Sequence, residues 1–303
     1  MRPSPLASPT LADAVKALLA LVVTASPVLA PSPALAEPKV WTQDWEVSTR
    51  PVVHIRVDDA HVHIHAGPSG RVSSRVEYEL KRSGMVFGTH SPTVVFERKG
   101  DEMWINARDP KGLTVIGIVD ERFTVDVIVP RELTLTFHSS DGALDCEPLS
   151  GRFEFESGDG AVRATGLKGD VEVLTGDGRV TLAELNGKLS VRTGDGHVIL
   201  NGRFDALDVT TRDGRVEATA LPGSRVMSAW SLESSDGKVE LRIPHDLAAL
   251  LDARTRDGHV RVDLPIPVSE GRSRNTLVGE LNGGGPALRI RTRDGGIVLA
   301  LSD

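Results

Sequence analysis

The sequence predicts an all-β protein: a single-stranded parallel β-solenoid, or β-helix, of coils about 18 residues long, preceded by an irregular β-rich N-terminal cap. Three observations lead there. Asp-Gly pairs recur at Asp141-Gly142, Asp159-Gly160, Asp177-Gly178, Asp195-Gly196 and Asp213-Gly214, four successive intervals of 18 residues. Apolar residues stand at fixed offsets around each pair, two apart, which is strand periodicity with one buried face. No segment shows helical i, i+3, i+4 spacing over a useful length.

Residues 1–36 are expected to be removed. Arg2 and Lys16 flank a polar start, the apolar run "ALLALVVTA" follows, and Ala34-Leu35-Ala36 offers the small residues of a signal peptidase site. Pro27, Pro31 and Pro33 interrupt a run well short of the ~20 apolar residues of a membrane span. The expected product is an exported chain, periplasmic or extracellular, with no span in its mature form. Cys146 is the only cysteine, so that product folds without an internal disulfide. The formal charge is −7, and removing Arg2, Lys16 and Asp13 (net +1) leaves −8. That balance disfavours a nucleic-acid partner, because neutralising phosphates needs clustered Lys and Arg.

Residues 37–130 are strand-rich but irregular. Val53, Ile55, Val62 and Ile64 repeat the apolar spacing around Asp59, with Ala60 in place of Gly, so a degenerate coil can begin there. "VVFERKGDEMWINA" predicts a hairpin about Gly100-Asp101, and "RFTVDVIVPREL" a strand ended by Pro130. Irregular strands ahead of a regular stack suit a cap, since an uncovered coil end is an open sheet edge.

Residues 131–303 form the repeat domain. Looser copies of the corner follow at Asp236-Gly237, Asp257-Gly258 and Asp294-Gly295. Six and four residues before each Asp, and three and five after it, stand apolar residues: Val171, Val173, Val180 and Leu182 about Asp177, or Trp230, Leu232, Val239 and Leu241 about Asp236. Eight copies of four positions give 32 apolar residues, where a chain 40% hydrophobic would give about 13 by chance. Weaker corners lie halfway, at Ser150-Gly151, Lys168-Gly169 and Asn186-Gly187, with Leu149, Leu167, Leu185 and Leu221 as a fifth inward column. Pro265 to Thr276 is a loop within the late repeats. The same turns could build an antiparallel meander, but a meander has no reason to keep alternate turns distinct.

At each Asp corner, Gly is expected at positive φ and Asp is expected to bond its own turn amides. Stacked Asp residues ~5 Å apart would repel by roughly 0.8 kcal/mol per pair in water. Arg163, Arg179, Arg215 and His197 lie near in sequence to soften that repulsion.

"VDVIVPRELTLTFHSSDGAL", the "TGDG" coils, "VELRIPHDLAALLDARTRDGHV" and the ending "LNGGGPALRIRTRDGGIVLAL" resemble the bacterial β-strand-repeat family of "putative adhesins", domain of unknown function 4097. The resemblance covers about residues 45 to 303. It implies a β-solenoid at or beyond the cell envelope and brings no catalytic residues.

Local chemistry is sparse. In "HVHIH", alternation puts His61, His63 and His65 on one face while Val62 and Ile64 turn inward. Two such His can share a Zn²⁺ ion, but a site needs at least a third ligand, and neither a Cys nor an HExxH partner is visible. The row is therefore expected to be a solvated face. The Asp corners lack the Gly-Gly-x-Gly-x-Asp unit of calcium-binding repeats, and "NGGGP" at 282–286 lacks the ending of a phosphate loop. One outward row holds Asp145, Arg163, Thr181, Ile199 and Glu217, without a carboxylate pair standing apart, and aromatics are only 4% of the chain.

The sequence thus points to a non-enzymatic, adhesin-like scaffold or binding module of the envelope, without cofactor. Its expected partners are an envelope protein, a polysaccharide, or a second copy meeting it through the solenoid ends. The alternative is a polysaccharide-active parallel β-helix enzyme, betrayed by a groove lined with carboxylates and stacked aromatics.

Overall fold

The computed structural model describes residues 38–87, 91–109, 114–264 and 273–302. The expected signal segment and most of the Pro265–Thr276 loop lie outside the described residues. The N-terminal third contributes β1 (Lys39–Glu46), β2 (Val52–Val57), β3 (His61–Gly67), β4 (Arg71–Phe87), β5 (Thr93–Lys99), β6 (Glu102–Arg108) and β7 (Thr114–Pro130). The regular coils contribute β8 (Glu132–Ser139), β9 (Leu144–Cys146), β10 (Ser150–Ser157), β11 (Val162–Thr165), β12 (Lys168–Thr175), β13 (Val180–Thr193), β14 (Val198–Thr211), β15 (Val216–Ala220), β16 (Trp230–Ser234) and β17 (Val239–Ile243). The last segment contributes β18 (Ala249–Thr255), β19 (Val260–Asp263), β20 (Thr276–Leu281), β21 (Ala287–Thr292) and β22 (Ile297–Leu301). Among the described residues there is no helix. The fold is all-β and β-solenoid-like.

The strands form two ladders facing each other across one core. In the first, Leu135, Phe153, Val171, Leu189 and Leu207 succeed one another in register on β8, β10, β12, β13 and β14. In the second, Leu144, Val162, Val180, Val198 and Val216 do the same on β9, β11, β13, β14 and β15. All of these pairings are parallel. β13 and β14 run through the corner and belong to both ladders, with register shifts between Leu182 and Leu185 and again between Gly187 and Lys188. Of the 32 positions expected inside, all are buried except Val262, which is half-buried. Each Val or Leu so buried is worth ~1.5–3 kcal/mol. Leu149, Leu167 and Leu185 complete the inward column, but Leu221 is half-buried and Phe204 fills the corner against Trp230, edge to face at 6.2 Å.

The Asp-Gly corners work differently from the expectation. Positive φ occurs at the opposite corner, at Gly151, Gly169 and Gly187, and at none of the glycines that follow the repeat Asp. Those glycines are required by close approach instead. A Cβ on Gly178 would fall onto the carbonyl oxygen of Gly160 one coil earlier and stand 2.6 Å from Thr175 Oγ1. At six of the eight corners the turn is closed by a Ser or Thr two residues before the Asp, whose hydroxyl accepts the N–H of the Gly that follows that Asp; Ser157 and Thr292 are the exceptions. Thr175 Oγ1 donates to the Gly158 carbonyl at 2.9 Å and accepts the Gly178 N–H at 3.0 Å. Thr193 and Thr211 repeat the pattern. The Asp177 carboxylate accepts from the Asp195 N–H of the next coil at 3.1 Å, so it ties coils together rather than bonding its own turn. The softening cations are also elsewhere: Arg212 reaches Asp195, while Arg163 pairs with Asp145, and Arg215 and His197 pair with Glu217.

At both ends the stacking order departs from chain order. β2 pairs with β6 on one side and β8 on the other, and β3 lies between β7 and β9. The first coil is thus inserted one place inward, beneath the later coil made by β6 and β7. At the other end, β21 lies between β16 and β18, and β22 between β17 and β19, so the last coil is inserted before its predecessor. Antiparallel strands close the stack: β5 on β6, β4 on β7 with β1 beyond it, and β20 on β18. The hairpin expected at Gly100-Asp101 is the β5–β6 turn, with Gly100 at φ 62°. Antiparallel covers of this kind occupy edges that would otherwise template foreign strands.

Candidate functional site

The site is built on β3. Its alternation is that of the sequence: Val62 and Ile64 are fully buried, and His61, His63 and His65 project outward, half-exposed. The two flanking strands set what those imidazoles meet. On one side β7 places Asp126 opposite His63, and on the other β9 places Asp145 opposite His63. The expected outward row, Asp145, Arg163, Thr181, Ile199 and Glu217, is present in register and gains His63 at its head.

The face expected to be solvated is half-exposed, and its histidines are set against carboxylates. Both neighbouring imidazoles converge on one oxygen: His61 Nε2 lies 2.5 Å, and His63 Nδ1 3.9 Å, from Asp145 Oδ2. The other oxygen, Oδ1, faces Arg163 at 3.7 Å. His65 Nδ1 lies 3.0 Å from Glu147 Oε1, and its Nε2 lies 3.8 Å from Asp126. Glu147 Oε2 accepts the Ala66 N–H at 3.0 Å, which pins the end of β3. Its hydrogen bonds from His65 and the Ala66 amide hold its carboxyl below the usual range. The His61 and His63 rings are 4.2 Å apart, tilted by 31°.

Cys146, between Asp145 and Glu147, turns the other way. Burial, with a smaller contribution from the Glu147 charge, pushes its thiol up to about 12, so it stays protonated and takes no part in the outer face. A shallow cleft of about 350 Å³ opens beside the row, bordered by His63, His65, Asp145, Glu147 and Arg163. Of the groups that could hold a metal, His61, His63 and Asp145 offer ligand atoms all within 4.8 Å of one another.

Sequence reasoning found the three histidines and missed Asp145, Glu147 and Asp126 as their partners. A signal existed. His63 lies four residues after Asp59, as Asp145 lies four after Asp141 and Arg163 four after Asp159, so one column contains all three. What the column could not reveal is that the coil of Asp59 sits directly against the coil of Asp141, 82 residues on.

A second cleft, about 280 Å³, crosses the outer face of the first ladder between Arg152, Asp170, Glu172, Lys188 and Asp208. Three of its four carboxylates are ion-paired: Asp170 with Lys188 at 3.6 Å, Glu172 and Asp208 with Arg192 at 3.4 and 3.7 Å; the fourth is Glu154. The residues of the Asp-Gly corners, from Asp141 to Gly295, are brought together in one column, packed coil against coil. Among the described residues, no helix is long and apolar enough to cross a membrane.

No curated protein matches the sequence. Among solved structures, the chain is similar to a "putative adhesin" from Bacteroides fragilis at 12% identity, covering 87% of this chain and 97% of that one with a TM-score of 0.47. It is similar to a "putative cell adhesion protein" from Clostridium sporogenes at 12% identity, covering 88% and 100% with a TM-score of 0.26. A "putative adhesin" from Parabacteroides merdae follows at 10% identity, covering 86% and 96% with a TM-score of 0.34. Likeness at this level transfers neither residues nor roles. The family profile named Toastrack DUF4097 matches residues 53–300, from the first inserted coil to the final strand. By that match, over most of its length, the chain belongs to the Toastrack DUF4097 family.

Proposed function

We propose that this protein is an exported, non-enzymatic, adhesin-like binding module of the cell envelope, in which a parallel, single-stranded solenoid serves as a rigid display scaffold. The observation that supports this most is the outer face of the regular coils. Side chains recur there in rows at the strand spacing of ~4.8 Å, and three of the four carboxylates lining its cleft, Asp170, Glu172 and Asp208, have a cationic neighbour. A glycoside-cleaving centre needs two carboxyl groups ~5–9.5 Å apart with one poised as an acid. Among the described residues the carboxyl raised towards neutrality is Asp109, at about 7, and it is hydrogen-bonded directly to Asp59 rather than separated from it. The outer-face Trp104 is already covered, stacked on His54 at 5.2 Å with Lys99 over its ring at 5.4 Å. A sugar platform would need that ring free.

The purified protein, incubated with envelope polysaccharide and with intact envelopes, should be retained saturably while the polymer keeps its length. Release of new reducing ends, abolished by Asp109→Asn, would install the enzyme reading instead.

A further inference from the structure

We infer that His61, His63 and Asp145 form a binding site for a divalent transition-metal ion of borderline character, of which zinc is the type, at the seam where the inserted first coil meets the first regular coil. The inference is independent of the adhesive reading and rests on the geometry of the seam.

Two imidazole nitrogens and one carboxylate oxygen form a donor set suited to zinc and its neighbours. Calcium and magnesium prefer sets made of oxygen alone. The third ligand that the HVHIH strand lacks in sequence is supplied by β9. Its Asp145 directs a single oxygen, Oδ2, at both imidazoles, 2.5 Å from His61 and 3.9 Å from His63. Ligands at ~2.0–2.1 Å from a tetrahedral ion stand about 3.3 Å apart. The three ligand atoms already lie within 4.8 Å of one another, so side-chain torsions alone can close the set. Arg163 occupies the second Asp145 oxygen at 3.7 Å, orienting the carboxylate as an outer partner orients a metal ligand.

The frame beneath the ligands is stiff. Val62, Ile64 and Leu144 are fully buried on the inner side of the same two strands, and His63 and Asp145 are register partners. Sites on strands hold their ligands more tightly in place than sites on loops. Cys146 points into the core and cannot compete for the ion. The cleft beside His63 leaves the fourth position open to water or to a donor from a partner. His65 is the neighbouring imidazole with its own acceptor, Glu147, and is not part of the set.

The test is calorimetric titration of the purified protein with zinc, and in parallel with calcium. One zinc per chain should bind in the micromolar range or tighter, and calcium should produce no comparable heat. Cobalt in place of zinc should give the visible absorption of a low-coordinate site. His61→Gln, His63→Gln and Asp145→Asn should each weaken zinc by at least about tenfold, while His197→Gln, on the same outer face beside Glu217, should change nothing. Circular dichroism of each variant keeps loss of fold apart from loss of a ligand. Zinc binding that survives all three substitutions, or no binding by the folded wild-type protein at 100-fold excess of metal, overturns the site.

Discussion

The regular coils and the two ends of the stack are made from the same strands but held by different rules. From β10 to β13 each strand pairs with the ones about 18 residues before and after it, as Phe153 does with Leu135 and Val171. At the ends the partners are distant: Ile55 meets Phe137 and Ile105, and Ile290 meets Leu232 and Ala253. A repeat coil is interchangeable because its neighbours offer it the same surface. An end coil is a clamp, gripped on both sides by segments far away in sequence. Local periodicity builds the middle, whereas the ends are tied by contacts the period does not specify.

Deletions should separate the two regions by the largest effect. Removing residues 177–194 joins Gly176 to Asp195, keeps the "TGDG" corner and takes one member from each inward column. A nearest-neighbour stack loses one coil and one interface, so the shortened chain should still fold and melt cooperatively. Removing residues 285–303, a similar length, extracts the coil gripped between β16–β17 and β18–β19. That chain should fail to fold or should aggregate through the two edges it exposes. Thermal melts and gel filtration decide. Equal survival of both deletions would mean that the end coil is no clamp.

Smaller lesions separate corner from cap. Gly178→Ala places a methyl against the Gly160 carbonyl and the Thr175 hydroxyl inside the stack, and should cost about 2–3 kcal/mol. Gly100→Ala, at the β5–β6 hairpin, meets nothing within 4 Å and has only its φ of +62° to accommodate, so about 1 kcal/mol is expected. Denaturant unfolding compares them, and a larger loss at Gly100 would contradict the close-approach account.

Thr175→Val keeps the shape of the side chain but leaves the buried Gly178 N–H without its acceptor. It should cost ~1–2 kcal/mol, less than the added methyl at Gly178. A neutral outcome in the same unfolding assay would remove the hydroxyl column from the forces holding the coils.

The smallest effect concerns acid and base near the N-terminal end. Burial, then the hydrogen bond to Asp59, then the charges of Asp59, Asp58 and Glu121 push the Asp109 carboxyl up to about 7. The unfolded chain releases that proton near its ordinary value of ~3.9. Between those values the native state holds the extra proton, so stability falls as pH rises from about 4 to about 7. Asp109→Asn, which mimics the protonated form, should melt like the wild type at acid pH and a little higher at alkaline pH. A shift of equal size at both extremes would show that no titration is involved.

Much of the fold is legible in single residues. The inward face of each coil follows from the two-residue pleat, which is why Val171, Val173, Val180 and Leu182 could be placed from spacing alone. The corner chemistry was misassigned because Asp-Gly is a familiar turn pair, whereas the hydroxyl that closes the corner sits two residues earlier. Ser139, Ser157, Thr175, Thr193 and Thr211 form a visible column at that position, and all are buried. Half of the candidate site was equally visible. HVHIH marked the three imidazoles, but Asp145, Glu147 and Asp126 could be joined to them only by knowing which strands flank β3.

The inward side chains are legible from sequence because the pleat repeats every two residues, and the corners because their Gly recurs at a fixed interval; the direction in which the strands pair is not. The tertiary structure alone decided the neighbours at the ends. The reason lies in how weakly chain length opposes a distant pairing. Closing a segment of 82 residues, as between Ile55 and Phe137, costs only about 1.3 kcal/mol more than closing one of 18. Burying one further Val or Leu at ~1.5–3 kcal/mol outweighs that difference. The packing surface available, rather than the distance along the chain, therefore chose the partner that brought Asp145 to His61 and His63.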